Sequence, residues 1–325
     1  MDVDSHSSLA PGDLAVVIGG TGFIGQNLVM ALQKMGVVVR VFSRRPFETF
    51  RTAVKTGLAS SDWFFGDICD SKALAPACAS ARAVFHVSGI AHVSQKSADA
   101  ERVNVLSAKV VAEVCAEAQT PRLVYVSSAL AAEPNASAYA RSKRQAEVIL
   151  LNASDPRLSK LHVTILRPSN VYGRGMRGNI GAMIRLIEKR RLPPLPRLDN
   201  RLTLISVSDV CQAAILAAIK PHEAGQIFTL TDGEIYTPSV IESAVYRALK
   251  RDRPRWRSPR VLFFTGSVMA GALNKLGIWR NDFGLRTYKN LVADKPLAAP
   301  AIIPQLGFTP SQTLYTAMPE ILGLP

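Results

Sequence analysis

Tyr139 and Lys143 stand four residues apart in the stretch SAYARSKRQAE, and Ser128 precedes them at the end of an apolar run. Four residues are about one helical turn, so on a helix both side chains point the same way. A tyrosine with an ordinary pKa of about 10 is a poor base, and a neighbouring ammonium favours its phenolate. Tyr139 could then take a proton from an alcohol as hydride leaves, or donate one to a ketone, while Ser128 binds the same oxygen. The alternative is a surface helix on which Tyr139 packs over the lysine stem.

A glycine-rich turn lies near the start of the chain. Leu14 to Ile18 is typical of a buried strand, and GGTGFIG leads from it into a helical pattern. Gly19 allows a tight turn, Gly22 lets the backbone approach a pyrophosphate, and Gly25 lets the helix pack closely on the strand. The start of the helix adds amide donors and a partial positive charge. The residues expected at this dinucleotide site are Gly19, Gly22, Phe23, Ile24 and Gly25.

The end of the second apolar run helps to choose the dinucleotide. An acidic residue there would bind the adenosine ribose and favour NAD. The stretch is instead VFSRRP, with Ser43, Arg44 and Arg45. A guanidinium can bind a 2′-phosphate through two hydrogen bonds, so NADP(H) is favoured and NAD(H) stays open.

Apolar runs typical of strands alternate with helical patterns as far as Pro168. Strands that are apolar throughout indicate a parallel sheet covered on both faces. We therefore predict an α/β protein, with a Rossmann-like doubly wound parallel sheet and a smaller C-terminal substrate-binding lobe. The expected parts are a flexible tail over 1–12, a dinucleotide-binding domain over 13–175 and a mainly substrate-binding lobe over 176–325, from which some segments return to the first domain.

Composition narrows the function classes. The net charge is +14, which suits phosphate-bearing ligands, but aromatic residues make up only 7%, and we expect no nucleic-acid partner. The four cysteines are scattered without metal-ligand spacing, so no metal is expected. The polar start of the chain does not resemble a signal peptide, and a reducing cytoplasm is the expected location.

With these residues in hand, the chain resembles the extended short-chain dehydrogenase/reductase family over nearly its whole length. The motifs that carry the resemblance are GGTGFIG, FHVSG, RVNVLSAK, VSSA, YARSK and LRPSNVYG. The resemblance implies that Asn104 organises the fold near the active site and that Lys143 also binds the nicotinamide ribose. The further cofactor-binding residues that it implies are Asp67, Ile68, Val87, Ser88, Gly89, Pro168 and Val171.

Within that family the chain is similar to the nucleotide-sugar branch. The implied substrate residues are Asn170, Asn179, Arg201 and Arg286. The position at which such enzymes carry an arginine holds Leu202, with Arg201 beside it. Dehydratases of the branch place Thr-Asp-Glu after the fifth strand, where this chain has Ala129 and Leu130, so dehydration is disfavoured.

The expected reaction is hydride transfer at C4 of a nucleotide-linked hexose, with an NADPH-dependent 4-keto reductase in surface polysaccharide synthesis ahead of a 4-epimerase with tightly bound NAD. A steroid- or flavonoid-type dehydrogenase is another alternative, and Asn179 and the basic lobe favour phosphate over a neutral substrate. A non-catalytic dinucleotide sensor is a further alternative, and Tyr139 with Lys143 argues against it.

Residues 250–279 combine a basic run with an apolar one. Six basic residues and one acid lie between Lys250 and Arg260, and the run from Val261 to Trp279 has Lys275 as its only charge. A buried helix beside a solvated loop would explain this, but so would peripheral contact with an anionic membrane at its cytoplasmic face. The family resemblance also implies a homodimer through the helices predicted at 98–118 and 137–151.

Overall fold

The computed structural model describes residues 9–48, 57–89, 97–155, 157, 160–176, 178–192, 195–275 and 303–324. Its strands are β1 Leu14–Ile18, β2 Val38–Ser43, β3 Trp63–Phe65, β4 Ala83–His86, β5 Arg122–Val126, β6 His162–Pro168, β7 Asn170–Tyr172, β8 Leu202–Ser206, β9 Gln226–Leu230 and β10 Ile235–Tyr236. Its helices are α1 Phe23–Lys34, α2 Ser71–Cys78, α3 Ser97–Glu117, α4 Ala138–Ala153, α5 Gly178–Glu188, α6 Val207–Ile219, α7 Pro238–Ala248, α8 Arg260–Lys275 and α9 Leu314–Leu322.

The chain divides into two compact units. The first consists of Met1–Ser169, Val207–Thr231 and Ala298–Ser311, and the second of Asn170–Ser206, Asp232–Leu297 and Gln312–Pro325. The division after Ser169 is earlier than the boundary expected at residue 175, and two later segments belong to the first unit.

The first unit is built on a parallel sheet. Within the described residues its strand order is β3-β2-β1-β4-β5-β6-β9, and every neighbouring pair is parallel. The middle strands are buried along their length, as continuous apolar runs predict. The Rossmann-like doubly wound sheet is therefore confirmed. β1, β2 and β3 follow one another toward one edge of the sheet, and β4 begins the strands that follow toward the other edge. The carboxyl ends of β1 and β4 therefore form the switch point, which is where dinucleotides bind in such sheets.

Local sequence explains where the helices of this unit begin. The Asp70 side chain accepts from Lys72 N at 3.0 Å at the start of α2, and Ser137 accepts from Ala140 N at 3.0 Å at the start of α4. Both are cap residues in extended backbone, which satisfy an amide that the first turn leaves free.

The start of the described chain differs from the expected flexible tail over 1–12. Leu9 is 3% exposed, and its N–H donates to Ala218 O at 3.4 Å. An apolar side chain gains by leaving water, so Leu9 packs against the unit instead of continuing a tail. Residues 1–8 lie outside the described residues.

The second unit has its own small sheet, which among the described residues is ordered β10-β8-β7. Its core includes a polar chain: the Tyr236 hydroxyl donates to Asp232 Oδ2 at 2.7 Å and accepts from Leu314 N at 3.0 Å. The Tyr172 hydroxyl donates to Gln312 O at 3.0 Å. These bonds attach the terminal segment with α9 to the small sheet.

Candidate active site

The glycine turn after β1 leaves no room for side chains. Gly19 has φ +89°, and a Cβ on it would lie 2.8 Å from Ser88 Cα. A Cβ on Gly25 would lie 2.2 Å from Gly19 O, so α1 could not pack on the turn with any larger residue. These two positions require glycine for steric reasons, one in the left-handed region and one at a close approach.

The first turn of α1 is suited to an anion. Among the described residues, no side chain caps the helix, and no acidic residue lies in its first turn. The amides that open the helix at Phe23 and Ile24 are therefore available to a pyrophosphate, together with the positive end of the helix dipole. A dinucleotide fits this turn, because Gly19 and Gly25 leave open the space that a side chain at either position would fill.

The end of β2 carries the residues expected to choose the dinucleotide. The Ser43 side chain is buried, accepts from Arg45 N at 3.0 Å and lies 3.4 Å from Thr21 Oγ1. Arg44 and Arg45 are exposed. The serine fixes the turn, and the guanidinium of Arg44 stays accessible to a ligand phosphate.

The other predicted cofactor residues follow the strands on both sides of this turn. Asp67 is exposed and accepts from Cys69 N at 3.0 Å, whereas Ile68 is buried in the core of the unit. Val87 and Ser88 follow β4, and Ser88 Oγ lies 3.1 Å from His86 Nδ1.

Pro168 is the last residue of β6 and belongs to the first unit. Val171 lies in β7 of the second unit.

Ser128 and Tyr139 are joined by a hydrogen bond between their side chains, which lowers the pKa of Tyr139, while burial has the larger effect and raises it. Ser128 also accepts from Leu130 N at 3.3 Å, which orients its hydroxyl at the end of β5. The phenol is therefore protonated at neutral pH and can donate a proton to an oxygen held by Ser128.

Lys143 is bound by the end of β5. Its ammonium donates to Tyr125 Oη and to Val126 O, both at 3.1 Å, and lies 4.6 Å from the centre of the Tyr125 ring. A buried ammonium needs hydrogen-bond acceptors, and β5 supplies two of them. The expected effect of Lys143 on the phenolate of Tyr139 stays a prediction.

Burial disfavours the charged form of Lys143. The side chain is 3% exposed, and burial lowers its pKa to about 8, although the Glu147 carboxylate acts in the opposite direction. The backbone of Gly89 lies against it, because a Cβ there would come 3.0 Å from Lys143 Nζ. The lysine is thus held between β5 and the segment that follows β4, where cofactor residues were predicted.

Asn104 connects α3 to the catalytic helix. Its Nδ2 donates to Ser142 Oγ at 3.0 Å, and Ser142 donates to Tyr139 O at 2.9 Å. Both side chains are buried, so the two bonds fix the turn of α4 that carries Tyr139. The organising role that the family resemblance implied for Asn104 stays a prediction, and this contact is the means by which Asn104 could exert it.

Glu147 is the residue of this site that sequence reasoning missed. It is fully buried one turn after Lys143 and accepts from Ser127 Oγ at 2.6 Å. Arg167 in β6 donates to both of its carboxylate oxygens, at 2.9 and 2.6 Å. The available signal was spacing: Tyr139, Lys143 and Glu147 recur every four residues, and one face of a helix links all three.

Three of the predicted substrate residues lie in the second unit. Asn170 is half-buried, and its Nδ2 is 3.5 Å from Thr203 O; Asn179 is half-buried in the first turn of α5; Arg201 is exposed just before β8. Leu202, at the position where an arginine was expected, is 5% exposed and belongs to the core. Arg286 lies outside the described residues. Within those residues, no group of three or more histidine, cysteine or acidic side chains could hold a metal ion.

A parallel nucleotide-binding sheet with a Ser-Tyr-Lys group on the end of β5 and the helix after it defines an NAD(P)-dependent oxidoreductase. The model of the NAD dependent epimerase/dehydratase family matches residues 15–231, and the chain belongs to this family. The extended short-chain dehydrogenase type predicted from the motifs is thereby confirmed.

Relatives of known activity differ in their substrates. The chain is 27% identical over 288 residues to a ceramide reductase of Caulobacter vibrioides, covering 86% of this chain and 84% of the relative. It is 26% identical over 269 residues to the UDP-glucose 4-epimerase of Vibrio cholerae, covering 75% and 77%. The solved structure of MoeE5 in complex with UDP-glucuronic acid and NAD has a TM-score of 0.69 at 21% identity, covering 96% and 98%. This last likeness shows the fold.

We expect Glu147→Gln to lower the free energy of unfolding by about 3 kcal/mol or more, because Arg167 would keep a nearly buried charge without its carboxylate. Arg144→Gln is the matched control. Arg144 also contacts Glu147, at 3.3 Å, but its side chain is 42% exposed, so its loss should cost no more than about 1 kcal/mol. Urea unfolding of the two variants measures the difference.

The same variant tests a link to the catalytic lysine. Since Glu147 raises the pKa of Lys143, Glu147→Gln should move that pKa to below about 8, and the basic limb of the pH profile of dinucleotide binding should move down with it. A profile that matches wild type, or equal unfolding losses in both variants, would contradict this role for Glu147.

Proposed function

We propose that the protein is an NADP(H)-dependent ketoreductase. The observation that carries the proposal is the pair of Ser128, whose hydroxyl is oriented by Leu130 N after β5, and Tyr139, whose helical turn is fixed by Asn104 and Ser142, and this phenol is protonated at neutral pH. The dinucleotide supplies the hydride to the carbonyl carbon. Tyr139 donates its proton to the carbonyl oxygen, and Ser128 binds that oxygen, so that a ketone becomes a secondary alcohol.

Lys143 and Glu147 support this proton transfer. The ammonium of Lys143 lies beside Gly89 and Tyr125, on the same helix face as Tyr139, and its positive charge would stabilise the phenolate that remains after Tyr139 has donated its proton. Glu147 keeps Lys143 charged, because its carboxylate raises the pKa that burial lowers. The phenolate then recovers a proton from solvent before the next turnover.

The preference for NADP(H) rests on the end of β2. Arg44 is exposed there, beside a buried serine instead of an acidic residue, and a guanidinium forms charge-assisted bonds with a 2′-phosphate.

For the substrate, we propose a ketone on a long-chain or polycyclic lipid. The sequence had favoured a phosphate-bearing substrate, but Leu202 is buried where a diphosphate-binding arginine was expected, which removes one support for it. The relative called ceramide reductase also matches a larger share of this chain than the UDP-glucose 4-epimerase does. Both observations support the neutral-substrate alternative.

A nucleotide-linked hexose, reduced or epimerised at C4, is the second candidate. Asn179 in the first turn of α5 and the exposed Arg201 support it, since a helix start and a guanidinium both suit a phosphate. The similarity to a UDP-glucose 4-epimerase supports it as well.

A homodimer stays part of the proposal. A groove between α3 and α4 is lined by Val105, Arg144, Gln145, Val148 and Ile149. Val148 is 44% exposed in the single chain, and burial of this apolar side chain against a second copy would favour association.

The cofactor preference predicts the behaviour of two neighbouring variants. Arg44→Ala should weaken NADPH binding by about tenfold or more and leave NADH binding nearly unchanged, because only NADPH carries the phosphate. Arg45→Ala is the matched control, since Arg45 is equally exposed and only its backbone N–H contacts Ser43. Calorimetric titration with both dinucleotides measures the affinities. Parallel losses for NADPH and NADH would assign Arg44 to a solvated turn.

A substrate panel tests the reaction. With NADPH present, we expect loss of the reduced-nicotinamide absorbance with lipid ketones, for which a 3-ketosteroid and a ceramide analogue oxidised to a ketone serve as probes. Consumption with a UDP-4-keto-hexose alone would move the substrate to the second candidate. Interconversion of UDP-glucose and UDP-galactose without net oxidation would identify an epimerase. Verified NADPH binding without any turnover would favour the sensor.

Tyr139→Phe tests the proton donor on whichever ketone the panel identifies. We expect kcat to fall by about a hundredfold or more with NADPH affinity retained, because only the acid is lost. Tyr125→Phe is the control: it removes the other hydroxyl near Lys143, but that hydroxyl accepts from the lysine and is fully buried. A loss in Tyr125→Phe as large as in Tyr139→Phe would contradict the assignment.

A further inference from the structure

Helix α8 presents an apolar face to solvent. Val261 is 70% exposed and Met269 64%, and Leu262, Phe264 and Val268 are also exposed. Among the positions of α8 whose side chains the structure describes, Phe263 and Ser267 are buried, so one narrow stripe of this part of the helix packs on the second unit. At 100° per residue, the exposed apolar residues form a continuous arc on the opposite side.

This arrangement is the reverse of an ordinary surface helix, which turns its apolar stripe to the core and its charged residues to water. From Val261 to Asn274 the sequence contains no charged residue. A contiguous apolar patch of this kind marks a surface that another molecule covers.

The basic run before α8 divides into two groups, of which one is held by its own unit and the other is exposed. Arg253 and Arg257 bind the buried Glu242 carboxylate, at 3.1 and 2.7 Å. Arg251 donates to two backbone carbonyls at the end of α5. These three arginines hold the loop to its own unit. The exposed members of the segment include Arg255 and, beside it, Trp256, which is 60% exposed.

We infer that the arc on α8, with Arg255 and Trp256 at its N-terminal end, docks on an anionic membrane surface. Apolar side chains on one side of a helix, an indole beside them and a nearby guanidinium are the groups that enter the acyl boundary and contact the headgroups. Within the described residues, no helix is long and apolar enough to cross a bilayer.

Charge and area favour lipid over a second copy of the chain. The net charge of +14 attracts an anionic surface. The outward side of one helix also offers less than the roughly 800 Å² per partner that a standard protein interface buries. The inference does not depend on which ketone is the substrate.

Vesicle flotation with the full chain tests the inference. Wild-type protein should float with phosphatidylcholine vesicles that contain phosphatidylglycerol, more at low salt than at high salt, and less with phosphatidylcholine alone. The triple variant Val261→Gln, Leu262→Gln, Met269→Gln should bind at least about tenfold more weakly. Arg255→Gln should lose about fivefold on the anionic vesicles only.

The control is the double variant Ile235→Gln, Val240→Gln, which changes two other exposed apolar residues of the same unit and should float like wild type. Wild-type protein that stays in the soluble fraction, or a triple variant that floats equally well, would overturn the inference. So would light scattering in which the triple variant turns a lipid-free dimer into a monomer, since a second copy would then cover the arc. Finally, Met269→Cys should react with a maleimide in lipid-free protein, and a blocked thiol would show that the chain covers the arc itself.

Discussion

The buried carboxylate of Glu147 is the constraint on which the catalytic group depends. An ionised group away from water must be fully hydrogen-bonded, and Glu147 meets this requirement only where Ser127 of the β5 end and Arg167 of β6 reach it together. Its bonds therefore fix the rotation of α4 over the two strands. Since Tyr139 and Lys143 lie on the same face of that helix, the position of the proposed proton donor follows from the ion pair of Glu147 and Arg167.

The site keeps the buried ammonium of Lys143 at some cost to the stability of the fold. A lysine that is 3% exposed, with a pKa lowered to about 8, is a group that a protein optimised for stability alone would replace. Three features limit the cost: two oxygen acceptors from β5, the face of the Tyr125 ring, and the carboxylate of Glu147 one turn away. Gly89 leaves no side chain to separate the ammonium from the backbone that follows β4.

Much of the fold and part of the site could be predicted, because both follow from local spacing. The strands to Pro168 are apolar runs, the glycine turn has a fixed period, and Tyr139 and Lys143 share a helix face. What could not be predicted is pairing between distant segments. β9 joins the sheet beside β6 from beyond residue 207, and Lys143 of α4 donates to the hydroxyl of Tyr125 in β5. Neither contact produces a periodic pattern in the sequence, because each depends on which segments meet after the chain has folded.

The basic segment before α8 illustrates the same limit for charge. The sequence contains six basic residues in this segment, but it does not indicate which of them face solvent. Glu242 on α7 is almost fully buried, so its carboxylate needs cations, and two of these six residues form ion pairs with it. Burial raises the pKa of Glu242, the bond from Arg257 acts in the opposite direction, and the two ion pairs hold the loop to the unit. A single buried acid thus decides which arginines are structural, and the exposed residues beside the apolar arc of α8 include the ring of Trp256 and the guanidinium of Arg255.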